Sequence, residues 1–161
     1  MTSKRKDIID ILKEKSPLAG QLADYEIIEL AYIMPLRSYD ENTVIVKEGE
    51  PATSMMFIIS GEVNIHHNKH LVAKLTPGNI FGEAMFSDQG IRMADVVAVE
   101  PTEVLVFDLT MYELLLQQNA KVALKCKFIF EQLYKQNVTA NESFFTIDHR
   151  KYLALVAHNE M

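Results

Sequence analysis

The sequence predicts a mainly β fold of the α+β class, a double-stranded β-helix or jelly-roll barrel flanked by N-terminal and C-terminal helices. Three observations carry this. Between Leu36 and Asp108 the chain breaks into short apolar runs (VIVKEGE, MMFIISGEV, NIHH, LVAKLTPG, DVVAVEPTEVLVFDL) divided by turn residues, which is how strands read. Five of the six glycines (Gly49, Gly61, Gly78, Gly82, Gly90) fall in this stretch, spaced as the turns and bulges of an antiparallel barrel require. On both sides the apolar residues switch to helical spacing.

The elements follow in order. Residues 1–15 form an N-terminal helix, with Ile8, Ile9, Ile11 and Leu12 among charges and Ser16-Pro17 as the interruption. A second helix covers about Asp24 to Met34, with Ile27, Ile28, Leu30, Ala31 and Met34 on one broad face and Pro35 after it. The barrel takes about 36–108. Helices return over about 110–137. TMYELLLQQN has Thr110 as a candidate N-cap and Glu113 three residues on, as in a capping box. The next helix runs from about Ala120 to Asn137 and offers Val122, Cys126, Ile129 and Leu133 as a seam, facing either the chain's own barrel or a second subunit. Residues 138–161 begin with a polar break and carry Phe144, Phe145, Tyr152, Leu153, Leu155 and Val156, a tail that packs on the domain or acts as a lid.

Composition narrows the function. With 161 residues and 48% apolar content, the chain is one domain's worth and buries roughly two-thirds of its unfolded surface. One cysteine, Cys126, excludes an intrachain disulfide and fits a reducing, cytoplasmic setting. No apolar run suits a secretory leader or a membrane span. A net charge of −6 argues against a nucleic-acid partner, which calls for a cationic surface. No nucleophile, paired base or hydrolytic constellation stands out, so the chain is not expected to be an enzyme.

The informative segment is Pro77 to Ala98, PGNIFGEAMFSDQGIRMADVVA. A glycine leading a short helical turn presents successive backbone N–H groups to one point, a cradle for phosphate. Arg92, returning on the next strand, supplies a cationic fork matched to phosphate oxygens. Glu83 is an acceptor-only carboxylate suited to a sugar hydroxyl. Arg92 paired structurally with Glu83 or Asp95 is the plainer alternative.

The runs VIVKEGEPATSMMFIISGEVNI and LTPGNIFGEAMFSDQGIRMADVVAVEPTEVLVFDL resemble the cyclic nucleotide-binding domain of the catabolite activator family, of kinase regulatory subunits and of gated channels, over roughly residues 17–137. The resemblance implies that Arg92 pairs with the exocyclic phosphate, that Glu83 accepts from the ribose 2′-hydroxyl, and that the backbone amides of Gly82, Ala84 and Met85 complete the cradle, with Met93 and Ala94 following the arginine. Met85 replaces a small alanine common in the family, so its side chain must turn away from the ligand. Met93 stands where cyclic GMP binders place a hydroxyl, which favours cAMP as the ligand. The purine-contacting position falls near Asn137, and Tyr134, Phe144, Phe145 and Tyr152 are candidates to cover the base.

Beside the resemblance, the expectation is a stand-alone, bacterial, cytoplasmic sensor that signals in trans to an effector protein through movement of its C-terminal helices, with a homodimer through the last long helix as a further expectation. Two other readings remain at this point. One is an assembly module with a vestigial pocket, resting on Met85 and Asp95. The other is a cupin-type metal protein, resting on His66, His67 and His70 at a hairpin tip where solvated residues are expected, with His149 far off in the tail. No metal is expected.

Overall fold

The computed structural model describes the backbone of residues 3–86 and 90–148 and the side chains of residues 4–86 and 90–136. Helices α1 (Ser3–Lys15) and α2 (Asp24–Ile33) precede eight strands: β1 (Leu36–Tyr39), β2 (Val44–Val46), β3 (Ser54–Ser60), β4 (Val63–His67), β5 (His70–Leu75), β6 (Ile80–Phe81), β7 (Asp95–Ala98) and β8 (Thr102–Asp108). A 3-10 turn, Glu83–Phe86, lies between β6 and β7, and α3 (Leu109–Gln118) and α4 (Ala120–Asp148) close the described chain. The strands form two antiparallel four-stranded sheets, ordered β1-β8-β3-β6 and β2-β7-β4-β5, the jelly-roll arrangement expected from the sequence.

Strand β3, SMMFIIS, is buried on both faces, and its period of two sorts its residues between two cores. Met56 and Ile58 join Val46, Val63, Ile65, Phe81, Val96, Val104 and Val106 inside the barrel. Met55, Phe57 and Ile59 join Leu105 and Phe107 beneath the helices, where Ile8, Leu12, Ile27, Leu30, Val122, Cys126, Ile129 and Phe130 meet them. The seam Val122, Cys126 and Ile129 is therefore taken up by the chain's own core, which decides between the two faces left open by the sequence. Burial also pushes the Cys126 thiol up to about 12, so it stays protonated filler at neutral pH.

Three expectations are corrected. The N-cap of α3 is Asp108, whose carboxylate accepts from the Met111 N–H at 2.7 Å, and not Thr110, because the helix begins as soon as β8 ends. Helix α4 runs to Asp148 instead of stopping at Asn137; Val138–Asp148 holds no glycine or proline, and polar residues alone do not end a helix. The histidines are not all solvated: His70 is exposed and His66 half-buried, while His67 is not. Asn68 and Lys69 make a two-residue turn with φ of 52° and 68°, and His67, immediately before it, is 1% exposed. Phe144 and Phe145 lie on α4, and Tyr152 lies outside the described residues.

Candidate functional site

Arg92 is the centre of the site. It lies between Gly90 and β7 and is 8% exposed. Nη1 donates to the Ser54 carbonyl at 2.7 Å and Nη2 to Ser54 Oγ at 3.0 Å, so the first residue of β3 holds the guanidinium by two neutral acceptors. Among the described residues no carboxylate makes an ion pair with it. Burial lowers the Arg92 pKa from its usual range, while the charges of Glu83 and Glu50 oppose that shift from nearby. The structural pairing with Asp95 is not made, because Asp95 Oδ1 accepts from the Glu48 N–H at 2.7 Å.

The backbone of this segment is held by a short antiparallel ladder. Gly49 N–H donates to the Arg92 carbonyl at 3.0 Å, Arg92 N–H to the Glu50 carbonyl at 2.8 Å, and Ala52 N–H to the Gly90 carbonyl at 2.6 Å, with Pro51 and Ile91 bridged between them. Ala94 continues into the barrel core. Met93, between them, is half-buried.

The 3-10 turn starts at Gly82, with φ of +90°. A Cβ there would sit 2.6 Å from the Ser54 carbonyl oxygen and 2.7 Å from Arg92 Nη1, so only glycine lets the turn approach the guanidinium this closely. Glu83 follows at 6% exposure, and Met85 N–H closes the turn on the Gly82 carbonyl at 3.0 Å. Ala84 and Met85 are buried, and the Met85 side chain belongs to the core beneath the helices. Met85 and Asp95, the two residues on which a blocked pocket rested, are thus both engaged elsewhere.

The turn is wired to the C-terminal helices by aromatic contacts. Phe86 meets Tyr112 of α3 edge-on at 5.2 Å and stacks on Phe130 of α4 at 6.2 Å, and Phe130 in turn meets Phe57 and Phe107 at 6.0 and 5.5 Å. Asn119 joins α3 to α4: its amide donates to Glu29 Oε1 at 3.1 Å and its N–H to the Leu115 carbonyl at 2.7 Å.

The structure therefore sets Gly82 and the Glu83–Met85 part of the turn against Arg92, with Met93 and Ala94 following the arginine along the chain. Asn137 lies on α4, but its side chain is outside the described residues. Ser54 was missed by sequence reasoning. It lies 38 residues before the arginine it holds, and no local motif marks it. The histidines gather no metal site: among the described residues no three His, Cys, Asp or Glu side chains are grouped to hold an ion, and His149 lies outside them.

A glycine-led turn set against a buried guanidinium, with no carboxylate in ion-pair contact among the described residues, is the build of a domain that receives a small anionic ligand. The sequence model of the family described as "Cyclic nucleotide-binding domain" matches residues 36–119, half of the chain, and the chain belongs to that family. It is 31% identical over 118 residues to a putative potassium channel protein of Rhodopseudomonas palustris, covering 71% of this chain and 29% of that protein. It is 25% identical over 115 residues to a cAMP-dependent protein kinase regulatory subunit of Dictyostelium discoideum, covering 66% and 35%. The chain thus spans about a third of the length of these relatives. Among solved structures, cAMP-bound PfPKA-R superposes with a TM-score of 0.71 at 24% identity, over 89% of this chain and 47% of that one, a likeness of fold. No helix among the described residues is long and apolar enough to cross a membrane.

Proposed function

We propose that the chain is a cyclic nucleotide sensor that prefers cAMP to cGMP and, rather than catalysing a reaction, passes the binding event to a partner protein. The single observation that carries this reading is Arg92: a buried cation fixed by two neutral acceptors, with no carboxylate in ion-pair contact among the described residues. Burying a charge is costly; Glu83 and Glu50 offset part of that cost from nearby, and an anionic ligand in direct contact offsets more. In this reading Arg92 takes the cyclic phosphate, the amides of Gly82, Ala84 and Met85 cradle it, and Glu83 accepts from the ribose 2′-hydroxyl. Met93 and Ala94 line the strand side, and Asn137, on α4, is the residue assigned to the purine. Met93 brings no hydroxyl for a guanine, which supports the preference for cAMP.

The signal follows the aromatic contacts. Phosphate draws Arg92 and the Glu83–Phe86 turn into register, Phe86 moves against Tyr112 and Phe130, and α4 pivots about Asn119. An effector protein in the cytoplasm reads the new position of α4 in trans, with no role for nucleic acid, membrane or metal. If two copies associate through α4, they use its outer face, where Leu124 and Phe128 are exposed, since the inner seam is occupied.

Calorimetric titration with cAMP and with cGMP, with Arg92→Ala as control, tests the reading. The expected result is tighter binding of cAMP and a loss in the variant worth about 2–5 kcal/mol, the cost of burying a phosphate without its charge partner. Unchanged affinity in a folded Arg92→Ala variant overturns the assignment.

A further inference from the structure

We propose that Glu48 and His67 are positioning residues for Arg92, a latch that fixes the loop between β2 and β3 on which the backbone of the arginine rests. The inference builds on the cyclic nucleotide reading of Arg92, but its observations are separate from the 3-10 turn.

The sequence VNIHH places His67 on the inward side of β4 by strand alternation, and the side chain is 1% exposed. An imidazole buried that deeply requires a polar partner. It has one from a different element: Nδ1 lies 3.2 Å from Glu48 Oε1. Glu48 is gripped elsewhere as well. Its N–H donates to Asp95 Oδ1 at 2.7 Å, and the Asn68 N–H points to Glu48 Oε1 at 3.5 Å. One loop residue is therefore held from β4, from the β4–β5 turn and from β7.

The residues that follow Glu48 are those that bond the Arg92 segment. Gly49 donates to the Arg92 carbonyl, Glu50 accepts from the Arg92 N–H, and Ala52 donates to the Gly90 carbonyl. The ladder is only a few residues long, so its register depends on what anchors its ends. One end continues into β3 at Ser54, which holds the guanidinium itself. The other end is Glu48. Releasing Glu48 lets the ladder fray from that side, and the starting point of the arginine side chain moves with it. Small displacements of a phosphate-binding fork matter because its bonds are directional.

The experiment titrates cAMP into the whole chain as wild type, Glu48→Ala and Glu48→Gln. Glu48→Ala is expected to weaken binding about tenfold, in the range of coupling between neighbouring groups, and Glu48→Gln, which keeps an acceptor for Nδ1–H, to recover most of that loss. Binding by a folded Glu48→Ala within twofold of wild type overturns the latch. Binding by a folded Glu48→Gln no tighter than that of Glu48→Ala overturns it too. Failure of the folded wild type to bind cAMP overturns the reading of Arg92 itself, a result distinct from either.

Discussion

The two cores of this domain are built from different side chains, and the proposed ligand cradle stands with one foot in each. Inside the barrel, Val46, Val63, Ile65, Val96, Val104 and Val106 are β-branched residues with little rotamer freedom. Beneath the helices the packing uses Leu12, Leu18, Met55, Phe57, Met85, Phe107 and Phe130, larger and more adaptable groups. Ala94, two residues after Arg92, is anchored in the stiff core. Met85, on the turn that approaches Arg92, is anchored in the adaptable one. The arginine is thus mounted on the barrel core while the turn opposite it leans on the helical one. In the proposed mechanism the barrel side is the fixed wall, and a binding event that draws the two together moves the helical side.

Two truncations separate the cores most sharply. Phe130→Ala should cost about 3–5 kcal/mol and Ile65→Ala about 2–5 kcal/mol, both read by urea unfolding. The effects should differ in reach. In Phe130→Ala, amide exchange of Glu83–Phe86 should quicken beyond what the lower global stability explains, because Phe86 loses its stacking partner. In Ile65→Ala it should follow global stability alone. Equal behaviour of the turn in both variants removes the distinction between a fixed wall and a movable one.

The next effect is smaller and local. Gly82 and Gly49 share a φ of +90°, yet a Cβ on Gly82 meets the Ser54 carbonyl and the Arg92 guanidinium, whereas one on Gly49 meets nothing within 4 Å. Gly49→Ala should therefore show only the backbone strain of the left-handed region, about 1 kcal/mol, and Gly82→Ala up to about 3 kcal/mol together with weaker nucleotide binding. Similar costs at both positions argue that the contact between the turn and Arg92 is slack.

Much of this arrangement is legible in the sequence where the signal is local. The strand region from Leu36 to Asp108 declares itself because apolar runs and turn residues alternate at short range, and the burial of Val122, Cys126 and Ile129 was written in their helical spacing even though the surface they cover was not. The site divides in the same way. Gly82, Glu83 and Arg92 lie within eleven residues and form a motif. Ser54 meets Arg92, and Glu48 meets His67 and Asp95, by sheet register across 19 to 47 residues, and nothing adjacent to them announces it. The cap of α3 was misplaced for a related reason. Asp108 and Thr110 are both competent caps, and only the point where β8 ends selects between them.

That selection has a modest measurable weight. Asp108→Ala removes the acceptor for the Met111 N–H and should cost about 1 kcal/mol, while Thr110→Ala, at an exposed position inside the helix, should cost much less. The reverse order, read from unfolding midpoints, would move the helix start back to the threonine.

The smallest expected effect concerns how α2 is tied to α4. Glu26 is buried; its Oε1 accepts from the Ala23 N–H at 2.8 Å, and both carboxylate oxygens lie 3.1 Å from Lys125 Nζ. The backbone N–H first, and the ammonium second, hold the Glu26 carboxyl below its ordinary value of 4.5 against the opposing effect of burial. A carboxyl whose folded pKa is depressed contributes stability that is fully present above the unfolded value and is lost as pH falls through the folded one. Wild type should thus exceed Glu26→Gln in stability at pH 7, and the gap should narrow below about pH 4.5 as the wild-type carboxyl takes up its proton. A gap that stays constant down to pH 3 means the link between α2 and α4 rests on shape rather than charge, and the helical core is then held together without help from its one buried carboxylate–lysine contact among the described residues.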